Sequence, residues 1–315
     1  MAAHLPIQAE SRFFDEISQE MHSVQDYMRL AMSLFARYKV HLGHGTDNVL
    51  DEAAYLVLQA LELPPDLDAQ WFSARLTTLE RAELSELLRK RCMERVPTAY
   101  LVGRAWFAGL PMLCDPRALI PRSPLAELIQ QGFTPWVEAD KVQSVLDLCT
   151  GGGSIALACA HYLPDACVDA VDLSADALAL AAENRAALQL EEQVALLQGD
   201  LFAPVQGRRY DLIVSNPPYV DARDMDELPA EYLHEPRMAL AAGEDGLDIV
   251  RRILRAAPNH LEEGGVLIVE VGNSMEHVEN AWPDAPFTWL HFEHGEDGVF
   301  MLTREQLINC AEMFA

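Results

Sequence analysis

From residue 142 onward, short apolar runs alternate with longer segments of helical spacing, and that alternation leaves few folds open. Runs at 145–148, 168–172, 194–197, 210–215 and 266–271 are rich in Val, Leu and Ile, as strands buried on both faces are. Between them, Ser154 opens a helix, 175–190 is an alanine-rich helix and 247–261 is a third. Parallel strands joined through helices give a doubly wound α/β sheet with right-handed crossovers. Two last runs, 288–292 and 298–302, flank Gly295-Glu296-Asp297, a hairpin signal. The expected fold is therefore a Rossmann-like mixed sheet of seven strands ending in an antiparallel hairpin.

The first part of the chain reads differently. From Ser11 to Arg95 the spacing is helical: Asp47-Asn48 caps an apolar segment that Leu63-Pro64-Pro65-Asp66 ends, and Leu76, Leu79, Leu84, Leu87 and Leu88 continue the period. We expect a small helical domain over 1–95. Residues 96–120, with Pro97, Gly103, Gly109, Pro111 and Pro116 around Trp106-Phe107, read as a β-hairpin linker, and 121–315 as the catalytic domain. The six cysteines form no CxxC pair, the usage of a reduced, cytoplasmic protein. The opening Met-Ala-Ala-His-Leu-Pro lacks a basic region followed by an apolar one, so secretion is not expected. The longest charge-free stretch, 148–164, contains three glycines, a His and a Pro and is no membrane span.

Charge is unevenly placed. Of the net −26, residues 1–120 carry 12 basic against 16 acidic side chains, and 121–315 carry 11 against 33. Such a surface repels nucleic acid and favours a basic partner, so no direct DNA binding is expected.

Between the first strand and helix lies Asp147-Leu148-Cys149-Thr150-Gly151-Gly152-Gly153-Ser154. Glycines there let a ligand approach the backbone and allow positive φ. The dinucleotide fingerprint GxGxxG and a lysine-bearing phosphate loop are both missing. Asp172 ends the second strand, where a carboxylate accepts from ribose hydroxyls, and Asp200-Leu201 follows the third, suited to an exocyclic amine and an adenine face. Each Asp also has a plain reading as a helix N-cap, with Ser174 or Asp176 as rivals. Together the acids and the turn describe an adenosine ligand without a diphosphate, which S-adenosyl-L-methionine is. Cofactor contacts are expected from Asp147, Thr150, Gly151, Gly153, Asp172, Asp200, Leu201 and Asn216.

Asn216-Pro217-Pro218-Tyr219 follows the fourth strand. Two prolines cannot continue a strand, since they lack N–H donors and their φ is fixed. They leave a stiff turn presenting an amide and an aromatic ring at a strand's carboxyl end, where open α/β sheets bind ligands. A carboxamide acceptor suits it. The Asn216 side-chain oxygen and the Pro217 carbonyl can each accept one N–H, which orients the amide and pushes electron density toward nitrogen as the methyl bond forms. Asn216, Pro217 and Tyr219 are the expected catalytic groups, with Pro218 completing the substrate cradle and Tyr219 stacking on the planar amide. No metal is expected.

These segments resemble a class I S-adenosylmethionine-dependent methyltransferase. With Glu235-Pro236-Arg237, Asp245-Gly246-Leu247-Asp248 and Val269-Glu270-Val271-Gly272, they are similar to the HemK/PrmC and PrmB group of protein glutamine N(5)-methyltransferases. Asp147-Leu148-Cys149-Thr150-Gly151, Ile120-Pro121-Arg122-Ser123-Pro124, Ala105-Trp106-Phe107 and His44-Gly45-Thr46-Asp47-Asn48 resemble the PrmB branch, which implies the large-subunit ribosomal protein L-three as the basic protein substrate. The release-factor branch usually has Gly at Cys149 and an Asp-Thr-Glu run at Ser123-Pro124-Leu125. The resemblance also implies that residues 1–95 recognise the substrate. Release-factor methylation, adenine methylation of DNA and a non-catalytic ribosome-assembly module are the competing readings. His41-Leu42-Gly43-His44 reads as a surface loop, and Arg251, Arg252 and Arg255 as a solvated helix face.

Overall fold

A computed structural model describes residues 7–293 and 298–314. The Gly295–Asp297 turn signal and the opening Met1–Pro6 segment lie outside the described residues. Contacts divide the chain into two units, one holding the residues up to Arg104 together with Pro229–His234, the other Ala105–Leu228 and Glu235–Ala315.

In the first unit, helices Ile7–Glu20, Val24–Tyr38, Val49–Ala60 and Thr78–Arg89 pack around Tyr27, Leu34, Phe35, Leu56, Leu84 and Leu88. Their starts are chemically marked: Ser23 and Thr77 form capping boxes with Asp26 and Glu80, and Asn48 accepts from the Asp51 amide. Inside this unit a charged group is buried. Arg91, 1% exposed, donates to Glu52 at 2.8 Å and to the His41 carbonyl at 2.8 Å, and lies 3.5 Å from Glu231. Thr98 and Thr46 also donate to Glu52. His44 is buried with its ring centroid 4.4 Å from that of Tyr232, so the surface-loop reading of 41–44 is corrected. The loop looks open in sequence because its cover arrives nearly 200 residues later. The segment 96–120 contains a helix, Thr98–Val102, before its hairpin, since Pro97 starts a helical turn that Gly103 ends at φ 67°.

The hairpin pairs β1 (Arg104–Phe107) with β2 (Leu110–Leu113) in a separate two-stranded sheet. The large sheet contains β3 (Ser144–Leu148), β4 (Cys167–Asp172), β5 (Val194–Gln198), β6 (Tyr210–Ser215), β7 (Leu261–Glu270), β8 (Thr288–Leu290) and β9 (Val299–Thr303). Their order is β5-β4-β3-β6-β7-β9-β8, with β9 antiparallel to both β7 and β8. This is the mixed seven-stranded α/β sheet expected from sequence. β7 begins earlier than its apolar run, at Leu261, and the register shifts between Tyr210 and Leu212 opposite it. Alternate residues feed opposite faces: Val145, Val168, Leu212 and Ile268 pack under helix Ser154–Tyr162, while Leu146, Val171, Ile213 and Leu267 pack under helix Asp248–Ala256. The strand order reverses between β3 and β6, which opens a crevice at their carboxyl ends.

Candidate active site

The register brings the two motifs together. Leu148 pairs with Ser215, and the Ser215 hydroxyl donates to the Leu148 carbonyl at 2.8 Å, so the glycine turn and Asn216 leave adjacent strands side by side.

The turn alternates hand. Cys149, Gly151 and Gly153 have φ of 60°, 55° and 85°, the left-handed region that costs a non-glycine residue about 1–2 kcal/mol. Asp147 lies beneath it, fully buried, and accepts from the Thr150 hydroxyl at 2.5 Å and the Ala156 amide at 3.0 Å. Burial pushes its carboxyl up to about 7. Asp172 accepts from the Gly151 amide on one oxygen and the Ser174 amide on the other, both at 2.8 Å, and burial raises its carboxyl above the usual range. Ser174 caps helix Ala175–Ala187. Asp172 is thus freed from the capping role and set between the turn and the end of β4. At Gly153 an added Cβ would lie 3.1 Å from that of Ala181, so this glycine serves helix packing.

Thr150, Gly151, Asp172, Asp200, Leu201, Asn216 and Pro218 line one cavity. Asp147, Gly153, Pro217 and Tyr219, also expected at the site, are not among its lining residues. The cavity's remaining wall includes residues that were not among the expected contacts: Leu173, Ile249, Met238 and Arg252. Arg252 donates to Asp200 at 2.7 Å, Arg251 to Asp245 at 2.6 Å, and Arg255 to the Phe314 carbonyl at 2.7 Å. Arg252 and Arg255 are exposed, as the solvated-face reading expects, and Arg251 is half-buried; all three also have partners. Arg117 and Arg122, also on the wall, hold Asp115 with Glu183 and Glu235, respectively. All three wall arginines are engaged by carboxylates, so the donor set fits an uncharged nucleoside better than a phosphate.

Asn184, 2% exposed, supports the turn from below. Its amide donates to the carbonyls of Gly152 at 3.0 Å and Leu113 at 3.2 Å, and its oxygen accepts from the Leu113 amide at 2.6 Å. On the acceptor side, Pro217 is buried and Asn216, Pro218 and Tyr219 are half-buried. The Tyr219 carbonyl accepts from the Ser274 hydroxyl at 2.7 Å, and Val220 is fixed by the Leu240 carbonyl at 2.8 Å. The tetrapeptide is held at both ends.

A mixed sheet whose switch point carries a glycine turn, a strand-end carboxylate and this stiff tetrapeptide defines a class I methyltransferase using S-adenosylmethionine. The methyltransferase small domain model matches residues 132–244. The ribosomal protein uL3 glutamine methyltransferase of Xanthomonas campestris pv. campestris is 50% identical over 92% of this chain and 94% of its own length. The protein of that name from Francisella tularensis subsp. tularensis is 45% identical over 95% and 96%, and that from Xylella fastidiosa 50% identical over 92% and 93%. The chain belongs to the ribosomal protein uL3 glutamine methyltransferase family, as the sequence resemblance implied. Among the described residues, no helix is long and apolar enough to cross a membrane.

Proposed function

We propose that this enzyme methylates the side-chain nitrogen of a glutamine in ribosomal protein uL3, the L-three of the sequence resemblance, in the cytoplasm. The observation that carries the reading is the Leu148–Ser215 register, which sets Asn216 beside the glycine turn on a common cavity wall. Bound S-adenosylmethionine supplies a methyl carbon on a sulfonium, an electrophile that needs no further activation. Asp172 accepts from ribose hydroxyls, Asp200 from the adenine amine, and Leu173, Leu201 and Ile249 provide the apolar faces for the base. Gly151 lets the backbone of the turn come close.

The acceptor nitrogen is a poor nucleophile because its lone pair is delocalised into the carbonyl. Asn216 and the Pro217 carbonyl each take one of its N–H bonds, which fixes its orientation and favours charge developing on nitrogen. The two prolines hold those acceptors still, so little reorganisation remains at the moment of transfer. Methyl transfer leaves the nitrogen as an N-methylated amide cation, which is strongly acidic and gives its proton to water to leave the neutral secondary amide, so the site's contribution is position rather than base catalysis. The acidic second part of the chain suits a basic ribosomal protein and disfavours nucleic acid. Residues 1–95 act in substrate recognition.

The test incubates the enzyme and labelled methyl donor with uL3 and, separately, with peptide chain release factors, then maps the label. Label on a uL3 glutamine supports the proposal; label on release factors only overturns it.

A further inference from the structure

Glu270 ends β7 and is buried, yet the mechanism above gives it no work. Both of its carboxylate oxygens are used. The Ser123 hydroxyl donates to Oε2, and the Tyr219 hydroxyl donates to Oε1 at 3.3 Å. Ser123 lies on the cavity wall and also accepts from the Leu125 amide at 3.1 Å. The Tyr219 ring stands directly against Gly272, where an added Cβ would come within 2.7–3.1 Å of Cε2, Cζ and the hydroxyl oxygen. At Gly246 a Cβ would lie 2.3 Å from the Tyr219 carbonyl oxygen. Two glycines at positive φ therefore clear space for one tyrosine, and a buried carboxylate receives its hydroxyl. Burying a carboxylate carries a desolvation cost that only well-made hydrogen bonds offset, so both hydroxyl contacts are needed.

We infer that Glu270 is a positioning residue for methyl transfer: it ties the hydroxyls of Tyr219 and Ser123 to one carboxylate and so sets the ring beside the acceptor amide. This rests on the reading of Asn216–Tyr219 as the amide cradle. Glu270 acts on the acceptor through Tyr219 and reaches the cavity wall through Ser123, to which no cofactor contact is assigned, so its loss is expected in kcat and not in cofactor binding. Gln keeps one acceptor oxygen and offers an N–H to the lone pair of the second hydroxyl, whereas Ala keeps neither contact. A graded series follows.

The experiment measures kcat on uL3 and the Kd for S-adenosylmethionine in the full-length enzyme. Glu270→Ala is expected to lower kcat about 100-fold, the scale of a 1 Å misplacement, and Glu270→Gln by less than about tenfold. Cofactor Kd stays within about twofold in both. Tyr219→Phe lowers kcat alone but adds nothing in the Glu270→Ala background, because one interaction has already been removed. A Glu270→Ala kcat within about twofold of the parent, losses that multiply independently, or cofactor affinity falling in step with kcat overturns the inference. Where Glu270→Ala does not fold, the isosteric Glu270→Gln, which keeps part of both contacts, enters the cycle with Tyr219→Phe, and losses that multiply independently overturn the inference. Asn216→Ala runs alongside. If it keeps turnover, the cradle reading itself fails; if it is inactive while the Glu270 series is flat, the Glu270 inference alone fails.

Discussion

Asn184→Asp is the sharpest probe of how the glycine turn is held, because it changes chemistry at constant shape. The Asn184 oxygen faces a backbone N–H at Leu113, which fixes the amide's orientation, and its nitrogen faces two carbonyl oxygens, at Gly152 and Leu113. Replacing that nitrogen by oxygen removes two hydrogen bonds, about 1 kcal/mol each, and points a carboxylate at two carbonyls. Desolvating the new group at a site 2% exposed adds at least about 2 kcal/mol. The sum at pH 8 is about 4 kcal/mol. Protonation relieves part of it, since the acid form regains one O–H donor. The folded pKa of the new carboxyl is thus raised above its unfolded value, its stability contribution is lost as pH rises, and the deficit is larger at pH 8 than at pH 5.5. Urea unfolding of parent and variant at the two pH values measures both quantities, and calorimetry follows the expected weakening of cofactor binding. A deficit under about 1 kcal/mol at pH 8, or one that shrinks as pH rises, would refute the account.

Four further outcomes are expected. Cys149→Gly relieves the left-handed φ of 60° and raises stability by up to about 1–2 kcal/mol in urea unfolding, with turnover retained. Asp147→Asn removes a carboxyl held near 7 by burial; because that folded value lies above the unfolded 3.8, the parent should lose stability relative to the variant by up to about 1.4 kcal/mol per pH unit between those values, followed by thermal unfolding without cofactor. Gly272→Ala places a Cβ 2.7 Å from the Tyr219 ring and should lower kcat with little change in cofactor Kd. Asn216→Ala should lower kcat about 10²–10³-fold while cofactor binding persists, as single-turnover assays with labelled donor would report.

Sequence disclosed the sheet because buried parallel strands must be apolar and their helices periodic, and both patterns are local. It disclosed the tetrapeptide and the turn for the same reason, since Pro and Gly constrain the backbone wherever they stand. Asn184 was silent, Arg252 read as a solvated side chain, and Glu270 stood in a strand segment with no role of its own. Their partners lie 71, 52, and 147 and 51 residues away, so nothing in their own neighbourhoods names what they hold. Arg91 is the extreme case. It sits in Arg89-Lys90-Arg91, which reads as a solvated run, yet two distant glutamates draw it inside. Long-range pairing of charges is legible only once the fold has brought the partners together.

The membership of Pro229–His234 in the helical unit has a consequence for synthesis. Glu231 is made about 140 residues after Arg91, a delay of roughly 7–28 s at ordinary elongation rates. Until then the emerging helices carry a guanidinium with Glu52 as its carboxylate partner and His44 without the ring that covers it. The N-terminal helices are therefore expected to close fully only once this late segment of their own unit, which follows residues 105–228 in the chain, has been made. A fragment ending at Arg104 would inherit the same defect permanently, and recombination that exchanged the helical part alone would separate a lock from its key.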